Sequence, residues 1–281
     1  MVNTTYFYFF SPTGGTKKAG GIFCESISER VKMIDLGQGD NEGDLKTAEN
    51  KTAVEAEAAE AAGSAEGTQE AEPVLTVIAA PVFSGRIPEF VTKKLKQLDG
   101  SGKKAVTLAV YGNRAYEDAL LELNDVAKEQ GFQVIASAAL IAQHSMAPEV
   151  GKGRPDEADK KEIQAFAQKV LEKIEANRED GGEPAKVPGN YPYREAKGMP
   201  VTPISLPACN LCGRCENICP TKAISIKEKK VETSAENCML CMACTAVCLE
   251  QARILPPSIQ EKMGQMLGAL KNVRKENEFF L

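Results

Sequence analysis

The sequence predicts an α/β chain: a doubly wound parallel sheet of five strands, then a small cysteine-rich α+β unit, then a closing amphipathic helix. Three observations carry this expectation. Apolar, β-rich runs alternate with helical stretches from the first residues to Ile174, the pattern of strand–helix–strand crossovers. Loops rich in glycine and hydroxyl residues leave the strand ends, where open α/β sheets bind ligands. Eight of the nine cysteines lie between Cys209 and Cys248.

At 281 residues the chain has room for two domains, and a hydrophobic fraction of 43% with 26% charged residues is that of a soluble globular protein. No apolar run approaches the roughly 18 residues that span a bilayer. Met1 to Phe10 lacks a positive leader and a cleavage site, so a cytoplasmic location is expected, where cysteines stay reduced. The net charge of -5 argues against nucleic acid and suits partners with basic docking faces.

Thr5 to Phe10 reads as the first strand. Ser11, Pro12, Thr13, Gly14, Gly15 and Thr16 follow, leading into a helix over Lys17 to Arg30. Strand, small polar loop and helix make a phosphate site, because amides at the helix start face the anion and the hydroxyls of Ser11, Thr13 and Thr16 add donors. Neither a Walker lysine frame nor G-x-G-x-x-G is present, so the site suits a single phosphate. Plain turn composition is the competing account of the same residues.

Val31 to Leu36 reads as a second strand. The stretch 37–72 is then rich in Ala, Glu, Gly and Asn, with too little apolar content to offset its ordering entropy. It reads as a solvated acidic insert, with a transient helix around Thr52 to Ala62; an acidic docking segment is the functional alternative. Val74 to Ala80 is a buried parallel strand that empties into Pro81, Val82, Phe83, Ser84 and Gly85, with a helix from Glu89. The strand Ala105 to Tyr111 ends in Gly112, Asn113, Arg114, Ala115 and Tyr116, and a helix runs to Gln130. Phe132 to Ile141 is the fifth strand, followed by His144 and by a helix over Asp156 to Ile174. Asp156 reads as compensating that helix's N-terminal dipole, and Cys24 as buried packing.

Asp180 to Pro207 is dense in Gly, Pro and Tyr and reads as a linker, part of which packs on one domain. Cys209, Cys212, Cys215 and Cys219 follow C-x2-C-x2-C-x3-C, and Cys238, Cys241, Cys244 and Cys248 repeat it at a constant offset. Thiolates two residues apart on a curled loop reach three corners of an iron–sulfur cube, and a fourth closes it. Zinc sites and a disulfide framework are the alternatives; structural zinc uses paired knuckles with longer spacers, and disulfides need an oxidising compartment. Ser258 to Glu261 reads as a capping box opening a helix with Ile259, Met263, Met266, Leu267, Leu270 and Val273 on one face, docked on the first domain.

The cysteine stretch resembles a bacterial-type ferredoxin with two 4Fe-4S clusters. That resemblance implies crossed ligation: Cys209, Cys212, Cys215 and Cys248 hold one cluster, and Cys238, Cys241, Cys244 and Cys219 the other. Pro220 follows the first run, whereas Leu249 stands in the corresponding place and is expected to add apolar cover. The upstream loops resemble those of the flavodoxins, whose [ST]-x-T-G-x-T loop wraps the FMN phosphate. The resemblance implies FMN held by Ser11, Thr13, Gly14, Gly15 and Thr16, by Pro81 to Gly85, by Tyr111, Gly112, Asn113 and Arg114, and by Tyr116 stacked on the flavin opposite Phe83. His144 is a further contact candidate or a cap of its own loop, and core or rim packing is the competing account of Phe83 and Tyr116. Asn113 replaces the aspartate usual in flavodoxins, which removes a negative charge near the flavin.

The whole arrangement resembles the flavodoxin–ferredoxin fusion proteins of anaerobes, the EFR-type ferredoxins. The implied divisions are a flavodoxin-like domain over 1–178, a linker over 179–200, a ferredoxin-like domain over 201–256 and a helix over 257–281. The implied function is an electron-transfer protein relaying electrons between FMN and two clusters, linking a low-potential donor to an acceptor enzyme. An FMN-dependent reductase of a quinone or nitro compound, supplied by ferredoxin or NAD(P)H, is the second reading. A redox sensor is the third.

Overall fold

The computed structural model describes residues 1–38, 74–176, 183–196 and 198–281. Apart from its first two residues, the acidic stretch and its expected helix lie outside them. Five parallel strands form the sheet: β1 (Val2–Phe9), β2 (Ser28–Asp35), β3 (Val74–Pro81), β4 (Lys104–Tyr111) and β5 (Gln133–Ile141). Their order is β5-β4-β3-β1-β2. This is the doubly wound order 2-1-3-4-5, whose switch point lies between β1 and β3.

Alternation along β1 shows why both faces must be covered. Phe7 and Phe9 point to one side and Tyr8 and Phe10 to the other, all almost fully buried. The helices α1 (Gly15–Ile27) and α4 (Glu157–Ala176) cover the Phe7 face through Phe23, Ile27, Ile163, Phe166 and Val170. The helices α2 (Glu89–Leu95) and α3 (Ala119–Glu129) cover the Tyr8 face through Val91, Leu95, Leu123 and Val126. Cys24 lies wholly inside the first of these cores, and burial pushes its thiol far up, so it is packing rather than chemistry.

The close seating of α1 on β1 depends on Gly20. A Cβ there would meet the Phe7 ring at 2.3 Å. Gly20→Ala is therefore expected to lower stability by about 1–3 kcal/mol through overpacking. Denaturant titration checks this, and a neutral result would contradict the seating.

The cysteine-rich unit consists of β6 (Ile204–Ser205), α5 (Arg214–Asn217), β7 (Ile224–Lys227), β8 (Lys230–Thr233), α6 (Ala243–Ala246) and β9 (Arg253–Ile254). The strands pair antiparallel as β6 with β9 and β7 with β8. The sequence duplication reappears in the backbone. Leu211 and Leu240, Gly213 and Met242, and Lys222 and Gln251 all take positive φ, at matching positions of the two runs.

The expected helix over 257–281 is corrected. The helix α7 spans only Pro257–Leu267, with Pro256 rather than Ser258 as its N-cap and Pro257 in the first turn. Met263 and Leu267 pack with Ala147 and Val150 after β5, whereas Met266 is 65% exposed. The chain then turns through Gly268–Leu270 and ends in a sixth strand, β10 (Glu278–Phe280), antiparallel to β5. Its backbone satisfies the open edge of β5, a stronger call on this segment than further helix.

A polar latch fixes that tail. Arg154 and Asp159, 6% and 0% exposed, form a two-pronged ion pair, and Arg154 also donates to the Lys275 carbonyl at 2.5 Å. Asn277 donates to Asp159 at 2.9 Å and to Glu162 at 2.6 Å, and accepts the Ile141 amide at 2.9 Å. Asp156 caps α4 through the amides of Ala158 and Asp159, as expected, and also pairs with Arg274 at 2.6 Å.

The segment 183–196 is ordered along α3. Asp118 accepts the Asn190 and Arg194 amides at 2.9 and 2.7 Å, and the hydroxyls of Tyr191 and Tyr193 meet Asp125. Burial raises the Asp118 carboxyl, but these hydrogen bonds prevail and hold it below the usual range.

Candidate functional site

Three loops leave the carboxyl ends of β1, β3 and β4 and meet at the switch point. The first is shaped by Gly14, whose φ of 89° opens α1 in the left-handed region, where a side chain is strained. Thr13, Gly15 and the buried Thr16 line the resulting cavity. Ser11 does not: its hydroxyl accepts the Lys17 amide at 2.8 Å and so organises the turn. Gly14 lies beside a neighbouring hollow with Lys18 and Arg154.

The second loop is a two-residue hairpin. Phe83 and Arg86 exchange backbone hydrogen bonds at 2.9 and 3.1 Å across Ser84 and Gly85, both at positive φ. Arg86 secures it with a bidentate bond to Glu122, 2.8 and 2.7 Å, and lies 4.6 Å over the Tyr193 ring. Pro81, Val82, Phe83, Ser84 and Gly85 all line the cavity.

The third loop departs from expectation. Tyr111, Gly112 and Arg114 line the cavity, but Tyr116 does not. Its ring is buried against Tyr111, Leu120 and Phe280, and its hydroxyl donates to Glu278 of β10 at 2.7 Å. Burial first, and the Glu278 carboxylate second, push its phenol far up. The tail claims Tyr116, so the stacking role is withdrawn. Tyr116→Leu, which keeps bulk but removes the aromatic face, is accordingly expected to leave flavin content unchanged, and flavin loss on purification with the fold intact by circular dichroism would restore the stacking reading.

Asn113 is likewise turned from the cavity. Its amide donates to the Val273 carbonyl at 2.7 Å and accepts the Lys275 amide at 3.3 Å. A carboxylate could not donate, which gives a physical reason for asparagine here. His144 lines the cavity and caps its own loop, with Nδ1 accepting the Met146 and Ala147 amides at 3.2 Å each. Burial and then the Arg114 charge lower its pKa, so the neutral ring is favoured.

The cavity, about 670 Å³, is closed by residues that sequence reasoning did not place there. Cys238, Met239, Leu240 and Cys241 of the cysteine-rich unit line it, together with Met199. Cys241 and Ala243 are buried in one core with Phe10, Ile87 and Val91, and Ile218 and Met239 pack on it. The second cysteine run is thus built into the wall of the switch-point site. No local pattern announces such a docking.

The cysteines fall into two groups in space. Cys209, Cys212, Cys215 and Cys248 line one small cavity, with none of the other four. Cys219 lies among the second run, close enough to Cys241 and Cys244 for its charge to act on both. Among the described residues no three His, Cys, Asp or Glu side chains converge on a single ion, whereas a cube offers each thiolate its own iron. Leu211 and Gly213 take positive φ on either side of Cys212, and Leu240 and Met242 do so on either side of Cys241. Burial pushes the Cys241 thiol up to about 12 and raises the Cys215 and Cys244 thiols. These residues fit iron–sulfur clusters. Leu249, expected to provide apolar cover, is 73% exposed and provides none.

Residues 208–252 match the family described as the 4Fe-4S dicluster domain. No curated protein matches the chain. Among solved structures, oxidised Flavodoxin 1 from Bacillus cereus aligns at 14% identity over 60% of this chain and 98% of that one, with a TM-score of 0.40. Flavodoxin 2 from Bacillus cereus aligns at 14% over 60% and 99%, with a TM-score of 0.41. The rubredoxin oxygen:oxidoreductase of Desulfovibrio gigas aligns at 13% over 63% of this chain and 37% of its own, with a TM-score of 0.38. The fold assignment rests on strand order rather than on these alignments. The dicluster match supports a redox role with iron–sulfur cofactors. Among the described residues no helix is long and apolar enough to cross a membrane.

Proposed function

We propose that the chain is an electron-transfer protein of the EFR type, which relays electrons between FMN in the switch-point cavity and two 4Fe-4S clusters on the cysteine runs. The observation that carries this reading is the shared wall: Cys238 and Cys241 line the same cavity as Thr13, Phe83 and Tyr111. When bound, FMN exchanges electrons singly or in pairs, and each cluster exchanges one.

The chain's own residues bind, orient and cover. Thr13 and Thr16, with amides at the start of α1, hold the phosphate. Phe83, Met239 and Leu240 exclude water from the ring. Cys219, Cys238, Cys241 and Cys244 hold the cluster nearer the flavin; Cys209, Cys212, Cys215 and Cys248 hold the farther one. Cys212 is exposed whereas Cys241 and Cys244 are buried, so the farther cluster is the one presented to a redox partner, a low-potential donor or an acceptor enzyme. A cavity wall made by the cluster unit favours this relay over a reductase that admits a small substrate.

Thr13→Ala with Thr16→Ala is expected to lower FMN retention at least tenfold, read as flavin per chain after gel filtration; unchanged flavin content counts against the phosphate assignment. About one FMN, eight irons and eight sulfides per chain is the expected composition of the anaerobic protein. Bleaching by NAD(P)H alone would favour the reductase. Bleaching only by a ferredoxin-type donor supports the relay.

A further inference from the structure

We infer that Arg253 is a cation built in between the two clusters, its Nε–H directed at the iron–sulfur anion, and that it raises the reduction potentials of both. The inference rests on assigning the two cysteine runs to two clusters. Arg253 opens β9 and is 4% exposed. Its guanidinium is clamped by hydroxyls from two separate sheets, Ser205 of β6 at 3.1 Å and Thr233 at the end of β8. Its Nε is buried with no hydrogen-bond partner. Among the described residues no carboxylate pairs with it, although Arg86, Arg114, Arg154, Arg194 and Arg274 all have one.

A buried guanidinium that keeps its charge and lacks a counter-ion is costly. The surroundings name the missing anion. Arg253 lines the cavity that Cys209, Cys212, Cys215 and Cys248 enclose. On its other side its side chain contacts Cys244 of the second run, whose helix α6 packs on β9. A 4Fe-4S cluster with four thiolates is anionic and gains a further negative charge on reduction. A fixed cation beside it stabilises the reduced form more than the oxidised one. Arg253 touches both runs, so both potentials move together.

The test uses the full chain purified anaerobically with its cofactors, comparing wild type with Arg253→Gln and Arg253→Lys by iron content and EPR-monitored redox titration. Arg253→Gln is expected to keep its irons. At a fixed solution potential, the ratio of reduced to oxidised protein should fall for each cluster by about tenfold, roughly 59 mV for a one-electron couple. Arg253→Lys should titrate close to wild type. A Gln variant with wild-type potentials overturns the inference, as does a Lys variant displaced as far as Gln, which would make the residue a packing strap. If the Gln variant loses iron, the reduced wild type decides. With 15N-labelled arginine it should show a nitrogen hyperfine coupling that Arg253→Lys lacks, and no coupling overturns the inference. Wild-type protein with fewer than two clusters would instead overturn the cluster assignment itself.

Discussion

Replacing Cys219 by alanine is expected to empty the cluster built on Cys238, Cys241 and Cys244, lowering iron from about eight to about four per chain. Double replacements make iron content alone decisive. If Cys219 serves the second run, Cys219→Ala with Cys238→Ala removes one cluster and leaves about four irons, whereas Cys219→Ala with Cys212→Ala removes both. The reverse pattern would mean that each run closes its own cluster. The structural ground is that Cys219 lies among Cys241 and Cys244, while Cys248 shares a cavity with Cys209, Cys212 and Cys215. The Ala223 amide also donates to the Cys219 sulfur at 3.2 Å, a bond that favours a thiolate there.

Asp159→Ala should cause the largest loss of stability among single substitutions outside the cysteines, about 3–5 kcal/mol, because it strands the buried Arg154 charge. It also removes an acceptor from Asn277, so the tail and β10 should loosen together. Hydrogen exchange at Ile141, whose amide bonds Asn277, should rise in step with a lowered unfolding midpoint. A loss under about 1 kcal/mol would contradict the latch. Stability should depend on pH in the matching sense. Burial alone would raise the Asp159 carboxyl, but the Arg154 bonds and the Asp156 amide prevail and hold it low. A depressed folded value means that the contribution is complete above the ordinary carboxyl pKa of about 4 and is lost as pH falls from there toward the folded value.

The sheet was legible because β3, β4 and β5 are buried on both faces, and runs such as Val74 to Ala80 read as buried parallel strands. The cysteine runs were legible because ligand spacing is local. What escaped depends on contacts distant in sequence. Glu278, Phe279 and Phe280 are too few to show a period, and the residues anchoring them, Arg274, Lys275 and Asn277, fell within the expected helix. Tyr116 stands at the expected position, but its direction is set by Glu278, far along the chain. Met239 and Leu240 gave no sign that they would wall a cavity on another domain. The sequence places residues on loops; which way a loop side chain faces is decided by what packs over it.

The cysteine-rich unit is anchored to the sheet on both sides: the segment before it is tied to Asp118 and Asp125, and the segment after it to Asn113, Arg154 and β5. A domain leashed at one end swings, and its encounters depend on leash length. One pinned at both ends has no such search to make. Electron exchange between the flavin cavity and the nearer cluster should then be a unimolecular event, with a rate independent of protein concentration and nearly insensitive to ionic strength. Only the encounter with an outside partner should carry the salt dependence of diffusing charged surfaces.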